Sequence, residues 1–159
     1  AQDVCEGGNA DTLVELFNLK NTKTFAHTFG NFGAGRIGEI KGLSNDKFKK
    51  LVEHKLNTSS IRTNEFFNKL KEINKIAILP GSGTQFIDEI LEEVDVFVTG
   101  DISHRYLLKA DDANMGLLQV GHITTEIPGM KKFVEKLNKA LDQELEYLYK
   151  DFYEWAIST

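Results

Sequence analysis

Along this chain, short apolar runs alternate with segments whose apolar residues recur at helical spacing. Residues 75–79 (KIAIL), 94–99 (VDVFVT) and 116–120 (GLLQV) are strand-length runs bounded by turn residues, the pattern of strands buried on both faces. Between them, Phe86, Ile87, Ile90 and Leu91 predict a helix over 84–93, and a second helix fills the gap before residue 116. Met130, Phe133, Val134, Leu137 and Leu141 continue a third helix, with Pro128 suited to its first turn or a kink near it. Strand, helix, strand, helix, strand, helix implies parallel strands joined by right-handed crossovers. A final strand is expected over 144–150, where Leu145, Tyr147 and Tyr149 alternate.

The first third reads differently. Leu13, Val14, Leu16, Phe17 and Leu19 form a helical stripe, with Asn9 placed to cap it. Residues 24–29 alternate, putting Phe25, His27 and Phe29 on one face; GNFGAG follows as a flexible loop, and 36–41 pairs back as a hairpin partner. Ser44 or Asn45 caps a helix burying Phe48, Leu51, Val52 and Leu56; a short strand around Ile61 and a helix over 64–73 follow. The expected class is α/β: a single domain over 1–159, with a mixed, mostly parallel sheet, flanking helices and a more antiparallel first third.

Candidate chemistry gathers where the apolar runs end. In open α/β sheets, ligands bind beyond the carboxyl ends of the strands. Thr99, Gly100, Asp101 and His104 follow one run; Gly121, His122, Thr124 and Glu126 follow another. If a helix opens at His122, Glu126 lies on the same face, one turn on. An imidazole and a carboxylate so placed can hold a divalent ion or form a simple hydrogen-bonded pair; a zinc site needs at least one more protein ligand. Gly81, Ser82 and Gly83, between a strand and a helix, suit either a tight turn or an anion subsite. Asp101 is a natural helix N-cap as well as a pocket residue. His104 is either a surface histidine or a proton donor or acceptor in the crevice. His27 reads as a strand residue with a satisfied ring, and His54 as solvated.

One glycine motif is set aside. Residues 33–38 (GAGRIG) match the dinucleotide fingerprint G-x-G-x-x-G. That fingerprint needs a strand before it and a helix opening inside it, whereas 36–41 reads as a strand. A hairpin explains the glycines, and Arg36 is either an anion clamp or a surface arginine.

Composition narrows the classes. The 159 residues are 41% hydrophobic and 27% charged, enough for one core. A net charge of −5 without a basic stripe argues against nucleic acid. The single cysteine, Cys5, excludes an internal disulfide and suits a reducing compartment. No run approaches the ~20 apolar residues of a membrane span, and no signal segment opens the sequence, so a cytoplasmic location is expected.

GAGRIGEI, ILPGSG, DVFVTGDISH and GHITTE, in this order and spacing, resemble the NIF-three-like (Ngg-one-interacting-factor-three-like) family, whose bacterial members are known as GTP cyclohydrolase I type 2 homologues. The resemblance covers nearly the whole chain. It implies a two-metal site between two similar α/β halves and assembly into ring-shaped hexamers. By this resemblance the metal ligands are His122, Glu126 and Asp3, with Glu126 bridging and the metal zinc, manganese, iron or magnesium. Family members carry a further segment ahead of this point, with a His-His pair supplying the remaining ligands. Arg105 stands where the family usually has a second histidine, and His104 takes the earlier place.

Three functions follow as expectations. One is a metal-dependent, hydrolase-like protein acting on a nucleotide or other phosphorylated small molecule, with Gly81–Gly83 and Asp101 lining the pocket and His104 moving protons. Another is a non-catalytic metal-binding assembly protein. The third is a fragment without activity of its own. In each, a chain lacking half a fold is expected to self-associate or to pair with a polypeptide supplying that half.

Overall fold

The computed structural model describes residues 2–142. Six strands form one mixed sheet in the order β1-β2-β4-β5-β6-β3. They are β1 (Lys20–Phe29), β2 (Phe32–Leu43), β3 (Arg62–Thr63), β4 (Ile73–Ser82), β5 (Val96–Asp101) and β6 (Gly116–Gln119). β4, β5 and β6 run parallel. β1, β2 and β4 are joined antiparallel, and β3 pairs antiparallel with β6 at the far edge. The helices are α1 (Asn9–Phe17), α2 (Asn45–Leu56), α3 (Glu65–Lys69), α4 (His104–Asp112) and α5 (His122–Leu141).

The apolar runs are buried on both faces because successive residues point to opposite sides of a sheet. Ile76, Ile78, Val96, Val98 and Leu118 pack with Leu13, Phe17, Phe48, Val52 and Phe67 of α1, α2 and α3. Ala77, Leu79, Phe97 and Leu117 pack on the other side with Phe25, Ile87, Ile90, Ala110 and Met115.

Several expected boundaries move. Asn9 is the first residue of α1, and Gly8 is its cap. The 21–23 segment lies inside β1, with Asn21 at positive φ and an irregular register around it. Ala26, also at positive φ, breaks the alternation, so Phe25 is buried while His27 is exposed, its ring without a hydrogen bond or ion pair among the described residues. The expected flexible loop is mostly β2, because Gly33 and Gly35 leave room for Phe25, whose ring would stand 2.2 Å from a Cβ at Gly35. Arg36 is buried rather than superficial. Its Nε donates to Asp11 Oδ1 at 2.6 Å, and its Nη1 donates to the carbonyls of Gly33 and Gly35. α3 stops at Lys69, and Ile73 begins β4. β4 runs on through Pro80 to Ser82, with a register irregularity after Leu79. The helix expected over 84–93 is a six-residue 3-10 helix, Thr84–Glu89. Ser103, not Asp101, caps α4. The strand expected over 144–150 lies outside the described residues.

Candidate metal centre

Three backbone ends meet at the site: the end of β4 at Gly81, the end of β5 at Gly100–Asp101, and the start of α5 at His122. Gly100 permits the meeting, since a Cβ there would stand 2.3 Å from the Gly81 carbonyl oxygen and 2.6 Å from the His122 Cα. Thr125, fully buried, locks α5 to β4 by accepting from the Gly81 N–H at 2.9 Å and donating to the His122 carbonyl. Gly121, at φ 97, turns the chain into α5.

His122 is held between two carboxylates. Its Nδ1 lies 2.8 Å from Asp101 Oδ2, and its Nε2 lies 3.3 Å from Glu126 Oε1. Gly81, at φ +74, faces that second gap: a Cβ on it would stand 3.0 Å from Glu126 Oε1 and 3.2 Å from His122 Nε2. Burial raises the Glu126 carboxyl above the ordinary carboxylate value; the charges of Asp3 and Asp101 add to the rise, against the opposing pull of His122. The Glu126 carboxyl thus feels two other acids beside one imidazole.

Of the expected ligands, the structure brings His122 and Glu126 together. Asp3 Oδ1 accepts from Asn9 Nδ2 at 2.9 Å, and its charge helps raise the Glu126 carboxyl. Asn9 is 2% exposed and packs against Gly129 of α5, where a Cβ would meet its Oδ1 at 2.1 Å. Among the described residues no group of three or more His, Cys, Asp or Glu side chains is placed to hold a metal ion. The His122–Glu126 gap nevertheless suits a cation, with two donor atoms converging where Gly81 leaves space for a third body.

The anion subsite fares less well. The Gly81 N–H is spent on Thr125, and the Gly83 N–H on the Asp101 carbonyl at 3.2 Å. No full helix follows to add its dipole. His104 opens α4, is exposed, and has no hydrogen bond or ion pair among the described residues. Thr125 and Asn9 are the supporting residues that sequence reasoning missed; for Thr125 the only signal was a polar pair where an apolar stripe would normally begin.

The family model for Duf34/NIF3 (NGG1p interacting factor 3) matches residues 1–153. The chain belongs to the Duf34/NIF3 family. A relative from Methanocaldococcus jannaschii, named GTP cyclohydrolase 1 type 2 homolog, is 34% identical over 148 residues, 90% of this chain and 57% of the relative. Among solved structures, reduced HcgD from the same organism superposes with a TM-score of 0.77 at 31% identity, covering 90% of this chain and 56% of that one. A Bacillus cereus protein related to NIF3 shares the fold, with a TM-score of 0.79 at 16% identity over 94% of this chain and 70% of its own. This NIF3 chain thus spans just over half the length of the Methanocaldococcus relative. No helix among its described residues is long and apolar enough to cross a membrane.

Proposed function

We propose that this NIF3 chain binds a divalent cation through His122 Nε2 and Glu126 Oε1, as one arm of a two-metal, hydrolase-like centre acting on a phosphorylated small molecule. One observation carries the reading. If Asp101 accepts a hydrogen bond from Nδ1–H, Nε2 presents a lone pair to a carboxylate oxygen 3.3 Å away. Two such acceptors repel unless a proton or a cation sits between them. Asp3 and Asp101 deepen the negative field there, and Gly81 leaves the space.

When bound, the cation would polarise a phosphoryl or carbonyl oxygen. The chain's own residues hold the geometry: Thr125 fixes the start of α5, Asn9 holds Asp3, and Gly100 lets the strand ends converge. With no group of three such ligands among the described residues, the remaining donors are assigned to a second polypeptide segment or a second copy of the chain. Zinc, manganese, iron and magnesium all suit an imidazole–carboxylate pair.

Manganese titration tests this directly. The wild-type protein should hold at least one tight ion per chain, and His122→Ala should lose it. Turnover of a phosphorylated nucleotide should fall with the metal. Equal manganese binding by both proteins would overturn the reading.

Self-association belongs to the same proposal. Ile123, Phe133 and Leu141 of α5 are 39%, 39% and 56% exposed, and α5 buries only Thr125 and Gly129 among its described residues. A non-catalytic assembly role is the second reading, favoured by those exposed apolar side chains. Tight metal binding without any turnover would select it.

A further inference from the structure

We propose that Asp101 is the positioning residue of this centre: it holds the Nδ1 proton of His122 and thereby presents the Nε2 lone pair to the cation gap. The inference rests on the metal-binding reading above and adds a role that neither the motif nor the family match assigns.

Asp101 Oδ2 lies 2.8 Å from His122 Nδ1, the shorter of the ring's two contacts. A carboxylate only accepts, so the shorter contact assigns the proton of a neutral ring to Nδ1. A neutral ring can protonate only one nitrogen, so Nε2 is left as the free donor atom, facing Glu126 Oε1 and the open side of Gly81. A histidine without such a partner favours the opposite tautomer, with the proton on Nε2, which would block the gap. Metal-ligating histidines are commonly oriented in this way by a carboxylate on the far ring nitrogen.

Position supports the assignment. Asp101 is the last residue of β5, and the N-cap position of α4 belongs to Ser103. Its backbone is pinned, since its carbonyl accepts from the Gly83 N–H. The side chain is therefore presented from a strand end to the first residue of α5. The side chains of His122 and Asp101 are 46% and 54% exposed. Packing alone therefore does not fix the ring, and the hydrogen bond must.

The test reads the tautomer and the metal separately. Histidine-labelled, metal-free protein is examined by long-range nitrogen–proton NMR above the ordinary histidine titration range. Wild-type His122 should show the Nδ1–H form. Asp101→Ala should move it toward Nε2–H, and Asp101→Glu should restore part of the wild-type signal. Manganese affinity of Asp101→Ala should fall by about 10- to 100-fold, with the circular dichroism spectrum retained. An unchanged tautomer in Asp101→Ala, or a wild-type Nε2–H form, overturns the role of Asp101. If the tautomer moves as expected but wild-type protein binds no manganese, the positioning role stands and the metal reading fails. Should Asp101→Ala not fold, Asp101→Asn supplies the same comparison, because its amide can donate to Nδ1 and drive the proton to Nε2.

Discussion

Glu126 is costly to ionise in the metal-free chain, because burial and the neighbouring Asp3 and Asp101 all raise its carboxyl. A folded-state value above the unfolded one means the folded chain binds the extra proton, so that contribution is full at low pH. It is lost as pH rises from the ordinary carboxylate range through the raised folded value. Metal-free protein should therefore lose stability across that window. Glu126→Gln should flatten the loss and melt higher at neutral pH; thermal melts in chelator at several pH values check this, and parallel curves for the two proteins would refute it. Gly81→Ala probes the same gap from the backbone. At φ +74 the substitution costs about 1 kcal/mol of strain, and its Cβ crowds both donor atoms. Manganese affinity should drop about tenfold or more. Gly30→Ala is the control: at φ +54 it carries similar strain but has nothing within 4 Å, and should bind manganese normally.

The hairpin and helices show how elements are tied together. Arg36 joins β2 to α1 through Asp11, and braces its own strand through two carbonyls, with only 10% of its side chain exposed. Arg36→Ala strands a partly buried acid and two carbonyls, and should cost about 3 kcal/mol; urea denaturation measures it, and a loss under about 1 kcal/mol, the worth of an exposed pair, would show the contact to be ornamental. Much of this level was legible in advance. The hairpin, the rejection of the dinucleotide fingerprint, the parallel strands β4 to β6 and the opening of a helix at His122 all follow from local periodicity and turn chemistry. The misses share a cause. Pro80 and Gly81 read as a strand break because proline cannot donate to a ladder, yet β4 continues with an irregular register. The segment after Gly83 has helical spacing, but it forms only a six-residue 3-10 helix between β4 and β5.

For the whole molecule, α5 is the outlier. Of its apolar residues Ile123, Phe133 and Leu141 are exposed, and Ile127, Met130, Val134 and Leu137 are only half-buried. The chain also spans only 57% of the Methanocaldococcus relative. Exposed apolar surface of this kind marks an interface. Sedimentation velocity should find a species larger than 17.9 kDa, and a Phe133→Asp, Leu141→Asp double variant should shift it toward the monomer. A wild-type monomer at all concentrations would exclude self-association through this face.

Taken alone, the sequence determined the α/β class, the family and the pairing of His122 with Glu126, because each depends on residues within a turn or a strand of one another. Tertiary structure decided the rest. The partnership of Asp101 with His122, the pull of Asp3 on Glu126 and the closeness that Gly100 allows all join segments far apart in the chain. Local periodicity places a side chain on a face, but only the strand order says which face it meets.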